Sequence, residues 1–152
     1  MKALKIAVIV FLVYAGIVTA FESMIGYFQP AQPGSTIVLT TFDANGAPHD
    51  RVVSKLDSGG QLYVAANHWP RAWYHRALEN PKVQAEIDGV KRDFRAVPVT
   101  GAEHDRVQSE HPHGFVFLFL TGFPPRYFVR LDPVQETQPT PPADAGFMTP
   151  PL

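Results

Sequence analysis

The sequence predicts a mainly β domain of the α+β class: a closed or partly closed barrel of about six antiparallel strands with two short helices, preceded by a hydrophobic helix. Three observations indicate this class. Short segments of β-branched or alternating apolar and polar residues recur along the body of the chain. Short turn sequences join most of these segments, which favours antiparallel neighbours. Helical start and stop signals flank only two stretches of the body.

The N-terminal 28 residues form a hydrophobic segment with a basic start. Lys2 and Lys5 precede an uncharged run over residues 6–21, and apolar residues 24–28 continue it. The run alone is shorter than the ~20 residues that span a bilayer. A signal-anchor with an interfacial extension is favoured, and a signal peptide cleaved near Ala20 is the alternative. With an anchor, the positive-inside rule places the domain on the outer, periplasmic side of the inner membrane; with cleavage the protein is secreted.

Six strands are predicted in the folded body, which follows a linker over residues 29–35 and extends over residues 36–132. The strands are expected at residues 36–41, 51–56, 61–66, 83–87, 90–99 and 126–131. Asn45-Gly46, Gly59-Gly60 and Asp88-Gly89 supply residues that adopt positive φ in tight turns. Residues 133–152 are rich in proline and lack periodicity, so we predict a disordered tail.

The first helix of the body is predicted over about residues 70–79. Pro70 suits the first helical position, where the missing N–H is not needed, and Pro81 prevents the helix from continuing. A second helix is predicted over residues 101–109, because Thr100 and Glu103 match a capping box.

The apolar stretch at residues 115–120 is too short for its periodicity to decide its conformation. It is compatible with a strand or with a buried helical turn.

Composition excludes several functional classes. The formal net charge of −1 and the pI near 6.6 provide no basic excess, so nucleic acid is not an expected partner. The absence of cysteine excludes disulfides, thiolate metal sites and thiol catalysis. His111 and His113 lack the carboxylate spacing of known zinc motifs, so no metal site is predicted. Hydrolase and nucleotide-binding glycine motifs are also missing.

The segment from the third strand into the first body helix carries the strongest candidate site. A strand end followed by a helix N-terminus offers backbone N–H groups to a phosphate or a ring carbonyl. Small side chains there let a planar ring lie against the backbone, and the turn adds hydrogen-bond donors and aromatic faces. The candidate residues of this segment are Ala65, Ala66, Asn67, His68, Trp69, Arg71 and Trp73.

Three residues on the first two strands complete the candidate site. Thr40 and Thr41 end a strand and offer hydroxyl groups to a phosphate or a ring carbonyl. Arg51 is a candidate phosphate ligand if its side chain faces a cleft. No acid, base or nucleophile stands out, so the catalytic residues are not predicted.

Several of these stretches together resemble the deazaflavin-dependent nitroreductase family. The resemblance rests on Leu39-Thr40-Thr41, the spacing of Gly46 and Arg51, residues 62–66, and the Trp-Tyr…Leu-x-x-Asn-Pro-x-Val stretch of residues 73–83. It covers residues 36–132. It implies a split β-barrel of the flavin-binding oxidoreductase superfamily, binding of coenzyme F-420 or FMN, and hydride transfer to quinones or nitro compounds.

Two stretches depart from the family pattern. A basic Gly-Arg-Lys-Ser-Gly stretch that grips the cofactor phosphate and acidic tail in the family is replaced here by residues 42–46, which contain no cation. The loop before Trp73 is shortened to residues 67–71. The resemblance therefore places the polyglutamate tail of the deazaflavin in question, whereas a smaller flavin held by Arg51, Lys55 or Arg71 remains compatible.

The predicted function is a membrane-tethered oxidoreductase that uses a reduced deazaflavin or flavin to reduce a quinone-like or nitroaromatic acceptor. The cofactor carries the chemistry in such a site, so no catalytic dyad is required. The alternative is a non-catalytic, membrane-anchored barrel that binds a cofactor, heme or lipid. The expected partners are a small-molecule electron acceptor and the membrane, and the resemblance is compatible with a homodimer.

Overall fold

The structure, a computed structural model, describes residues 2–27, 34–67 and 72–134. Within these ranges it contains four helices and six strands. In chain order they are α1 (Lys2–Tyr27), β1 (Thr36–Phe42), β2 (Pro48–Ser58), β3 (Gln61–Ala66), α2 (Ala72–Glu79), β4 (Lys82–Ile87), β5 (Val90–Pro98), α3 (Gly101–Glu110), α4 (Phe115–Leu120) and β6 (Tyr127–Pro133).

The strands form one closed antiparallel barrel in the order β1-β2-β3-β6-β5-β4. Neighbours along the chain pair where short turns join them, and β6 closes the barrel by pairing with both β3 and β5. The β2–β3 turn is Gly59-Gly60, with φ values of 57° and 75°, which glycine adopts without steric cost. The predicted fold class is confirmed.

Two apolar clusters stabilise the barrel. The larger fills the interior and includes Trp73 and Ala77 of α2, so this helix covers the barrel end at which β1 and β3 finish. The smaller lies between the outer face and α3, where Val107 of the helix packs with Tyr63 and Phe128. Alternate strand residues supply the two clusters because side chains of a strand point to opposite faces.

The helices of the body differ from the prediction in two ways. Residues 115–120, which were compatible with a strand or with a buried helical turn, form the helix α4, none of whose residues is buried, so the body has three short helices instead of two. The prediction of a capping box at the start of α3 was wrong. Thr100 has the extended backbone of an N-cap residue, but its side chain makes no capping hydrogen bond. Glu103 instead accepts hydrogen bonds from Tyr63 and Arg130, because both donors lie within its reach across the barrel surface.

Helix α1 is long and apolar enough, over the 24 residues Lys2–Ile25, to cross a membrane, although a signal sequence has the same properties. One stripe at helical spacing is partly covered, by Tyr14, Val18 and Phe21, while most of the helix surface is exposed. The predicted linker lies mostly outside the described residues, and so does the predicted tail beyond Val134.

Candidate functional site

Strand pairing between β2 and β3 covers only part of β2, which leaves a split in the barrel among the described residues. Among the described residues, Pro48–Ser54 pairs with β1 only, and β3 joins β2 only from Lys55 onward. The other edge of this half-strand forms no ladder with a described strand. Arg51 lies in this half, half-buried, on the same face as its cross-strand partner Leu39 in the barrel core. The split lies at the barrel end that α2 covers.

The two threonines at the end of β1 are fully buried, but they point in opposite directions. Thr41 accepts a hydrogen bond from Arg76 Nε at 3.0 Å, on the side that α2 covers. Thr40 donates to Asp50 Oδ1 at 2.6 Å and accepts from Lys91 Nζ at 3.3 Å, on the other face of the strand. A single ligand can therefore face at most one of the two predicted hydroxyl groups.

The end of β3 divides its candidate residues in the same way. Ala66 belongs to the interior cluster, whereas Ala65 packs in the cluster under α3. Asn67 follows them and is buried, with 7% of its surface exposed. Its Oδ1 accepts a hydrogen bond from Arg126 Nε at 3.0 Å. This bond fixes the amide orientation and leaves the Asn67 NH₂ group as the part of the side chain that can donate to a ligand.

Arg126 is a residue that the sequence did not single out. It is 8% exposed, and its guanidinium also donates to Gln108 Oε1 at 3.2 Å and to the His111 carbonyl at 2.6 Å. Its carbon atom Cζ lies 4.8 Å from the centre of the Phe128 ring. Burial lowers the pKa of Arg126 from its ordinary value. A lone arginine before a strand has no sequence signature, so only the fold reveals this connection between β3, α3 and β6.

Of the remaining candidates in this segment, the structure describes Trp73. Trp73 is 8% exposed and packs in the interior cluster, with its ring 6.0 Å from that of Tyr74. Little of its indole is left to face a ligand. His68, Trp69 and Arg71 lie outside the described residues, so their roles stay predictions.

The loop between β1 and β2, where the family has cations, is built around a carboxylate. Asp43 Oδ1 accepts hydrogen bonds from the backbone N–H groups of Asn45 and Ala47, both at 2.9 Å. Its Oδ2 lies 3.1 Å from His49 Nε2. The bond to His49 and the backbone bonds lower the pKa of Asp43. An ionised aspartate in this loop disfavours an anionic cofactor tail nearby.

A second polar cluster lies on the outer face of the barrel, beneath α3. Tyr63 is fully buried and donates to Glu103 Oε1 at 2.7 Å, while Arg106 Nη2 donates to the phenol oxygen at 3.1 Å. Arg130 donates to the same carboxylate oxygen at 2.8 Å and forms an ion pair with Asp132. The hydrogen bond from Tyr63, followed by the interactions with Arg130, lowers the pKa of Glu103.

Tyr63→Phe is expected to destabilise the protein at neutral pH and to have less effect in acid. A folded-state pKa below the ordinary value of Glu contributes stability above that value, and this stability is lost as the pH falls through the folded pKa. The substitution removes the largest cause of the shift. The difference in melting temperature between wild type and variant should therefore narrow below about pH 4. Glu110→Gln, at an exposed position of α3, is the control. A difference that stays constant with pH would contradict this account.

Three clefts are lined by described residues. The cleft of about 480 Å³ lies next to the end of β1 and the residues after α2, with Phe42, Asn80 and Lys82 in its wall. Clefts of about 690 and 740 Å³ lie at the opposite end of the barrel, near Gln61. Asn67 lines none of these three.

Comparison with known proteins supplies a family. A family model for F420H(2)-dependent quinone reductases matches residues 13–113. No curated protein matches the sequence. The chain is similar in structure to an F420-H2 dependent reductase (FDR-A), with a TM-score of 0.54 and 15% identity over 69% of this chain and 100% of that chain. It is also similar to a chain described as a domain-swapped dimer, with a TM-score of 0.54 and 13% identity over 68% and 84% of the two chains. At these identities the solved structures show a shared fold alone.

Proposed function

Because this chain belongs to the family of F420H(2)-dependent quinone reductases, we propose that it reduces a quinone-like acceptor with reduced coenzyme F-420 while α1 tethers it to a membrane. The match to that family over residues 13–113 is the observation that carries the proposal. The family match favours an oxidoreductase over a non-catalytic barrel, and it favours F-420 over FMN as the cofactor.

The residues at the split of the barrel fit a cofactor that has a polar ring edge and an anionic tail. Arg51 provides a half-buried cation beside the open edge of β2. Asn67, oriented by Arg126, provides an amide donor at the end of β3. Arg51 lies on the interior face and Asn67 bonds Arg126 on the α3 side, so a cofactor that meets both would lie across the edge between β2 and β3. Both groups donate hydrogen bonds and neither carries negative charge, which suits a phosphate and ring carbonyls.

When bound, reduced F-420 would supply the hydride that the acceptor receives. The protein would supply position and exclude water. Arg51 would bind the phosphate, and the Asn67 amide would donate to the ring edge. Helix α2 covers this end of the barrel with Trp73 and Ala77, and so limits access of water from the interior side. The acidic Asp43 loop suggests that the glutamate tail of the cofactor lies away from the β1–β2 turn.

The tether is the second part of the proposal. Helix α1 carries Lys2 and Lys5 in its first turn and exposes most of its apolar surface. A membrane-bound reductase has direct access to acceptors dissolved in lipid, which suits a quinone. The positive-inside rule then places the barrel on the outer side of the inner membrane.

The experiment uses the full chain purified in detergent. Titration with F-420 should change the fluorescence of the cofactor, and oxidation of reduced F-420 should depend on added menadione. Binding of FMN without binding of F-420 would contradict the proposed cofactor. Binding of F-420 without turnover of menadione or a nitrofuran would contradict the proposed acceptor class.

Substitutions in the predicted turn extend this test. We expect Trp69→Ala and Arg71→Ala to raise the Kd for F-420 about tenfold, since each removes a stacking face or a charge-assisted bond. Arg95→Ala, at an exposed position of β5, is the matched control for the loss of a cation. If the melting temperature and the affinity fall in parallel, the turn has only a structural role.

A further inference from the structure

Residues 115–123, which we call the aromatic wedge, expose an unusual amount of apolar surface. Phe115 is 71% exposed, Val116 70%, Phe119 44% and Phe123 52%. The rings of Phe115 and Phe119 stack with centroids 6.4 Å apart, and Phe123 lies at 6.1 Å from Phe115. A contiguous apolar patch of this kind on a protein surface indicates an interaction site.

The wedge packs along the C-terminal half of α1. Phe117 contacts Phe21, with ring centroids 6.4 Å apart. Phe119 contacts Tyr14, with centroids 4.9 Å apart and a hydrogen bond from the Tyr14 hydroxyl to its carbonyl at 2.9 Å. The chain then returns past Val18 at Gly122, where a Cβ atom would come within 3.0 Å of the valine.

This order of contacts gives the wedge a re-entrant path. It passes α1 at the level of residue 21, reaches the level of residue 14 at Phe119, and turns back at the level of residue 18. At 1.5 Å per residue, Tyr14 lies about 10 Å closer than Phe21 to the N-terminus of α1, near the middle of Lys2–Ile25. If α1 spans a membrane, the deepest part of the wedge lies within the hydrocarbon layer.

The carbonyl groups at the end of α4 form hydrogen bonds within the protein. The last carbonyl groups of a helix have no partner within the helix and bond to capping groups or to water. Here the Phe117 carbonyl accepts from the backbone N–H and the hydroxyl of Thr121. The Leu118 carbonyl accepts from the Phe123 N–H at 2.8 Å, and the Phe119 carbonyl accepts from Tyr14. Internal satisfaction of these groups is what a bilayer requires.

We infer that the aromatic wedge inserts into the lipid bilayer beside α1 and forms a second membrane-embedded element. This inference rests on the proposed tether. The chain returns from the wedge to the barrel at the end of β3, because Tyr127 pairs with Ala66 and Arg126 bonds Asn67. The inserted wedge therefore places the candidate site next to the lipid, where a long-chain quinone can reach the site without crossing water.

Site-directed spin labelling of the full chain in phosphatidylcholine–phosphatidylglycerol vesicles tests the inference. The chain contains no cysteine, so single cysteines can be placed by Phe119→Cys in the wedge, Ile9→Cys in α1 and Val90→Cys at an exposed position in the β4–β5 hairpin. Labels at positions 9 and 119 should collide several-fold more often with oxygen than with a water-soluble nickel complex. The label at position 90 should show the reverse.

Different results of this experiment test the insertion of the wedge and the tether by α1 separately. Oxygen accessibility at position 9 with nickel accessibility at position 119 would overturn the wedge and leave the tether intact. Nickel accessibility at both positions would overturn the tether as well. Protection of position 119 from both reagents would mean that protein, such as a second copy of the chain, covers the patch, and this also overturns the inference.

A charged variant provides an independent readout. Phe119→Asp should slow reduction of a long-chain quinone dissolved in the vesicles about tenfold, since a carboxylate in the hydrocarbon layer is strongly disfavoured. Its rate with a water-soluble benzoquinone should stay near that of the wild type. Equal losses with both acceptors would show that the residue supports the fold and not the contact with lipid.

Discussion

Replacing Arg126 by alanine is expected to lower the free energy of unfolding by about 3 kcal/mol, the largest effect that we predict for a single substitution. The guanidinium is 8% exposed and connects Asn67, Gln108 and the His111 carbonyl. Without it, these acceptors lose charge-assisted hydrogen bonds in a place that water reaches poorly. Chemical unfolding of the full chain in detergent, followed by circular dichroism, measures the effect.

Two variants control for the loss of charge and the loss of shape. Arg95→Ala removes an exposed cation from β5 and should change stability by less than about 0.5 kcal/mol. Arg126→Lys keeps the charge but cannot reproduce the planar fork, so it should recover only part of the lost stability. It should also weaken F-420 binding more than its stability predicts, because the Asn67 amide is no longer oriented. Full recovery by lysine would contradict the proposed geometry.

Replacing Arg51 by glutamine is expected to raise the Kd for F-420 about tenfold, with little change in the melting temperature. Arg51 is the half-buried cation in the part of β2 that β3 does not cover, so a phosphate at the split would depend on it. Fluorescence titration of the full chain with F-420 at fixed ionic strength measures the change.

Lys55→Gln is the matched control for Arg51→Gln. Lys55 lies on the same strand and the same face, four residues further on, where β3 pairs with β2 and where Asp57 lies 3.6 Å from its ammonium group. Its loss should leave the affinity near that of the wild type. Equal weakening by the two substitutions, or none by Arg51→Gln, would place the phosphate away from the split.

The fold could be predicted because its signals are local. Strands such as β1 and β4 are marked by their own alternation or β-branched residues, and the turns at Gly59-Gly60 and Asp88-Gly89 by residues that tolerate positive φ. The α2 helix is delimited by Pro81 in the same way. Each of these signals lies within a few residues of the structure that it specifies.

The candidate site could be predicted only as a neighbourhood. The sequence pointed to the end of β3 and the end of β1, and the resemblance gave both a role. The predicted strand already implies that the side chains of Thr40 and Thr41 point to opposite faces, but the sequence could not show which of the two faces the barrel interior. That follows from the register with β2 and β4 and from the faces that the barrel gives to interior and surface.

By itself the sequence determined a mainly β barrel, its strand order along the chain, an apolar N-terminal helix and membership of a reductase family. Tertiary structure alone decided that residues 115–120 are helical against α1, that Glu103 bonds Tyr63 instead of capping its helix, and that Arg126 orients Asn67. The physical reason is the same in each case. The deciding partner lies tens of residues or more away along the chain, and only the tertiary fold brings the two groups together.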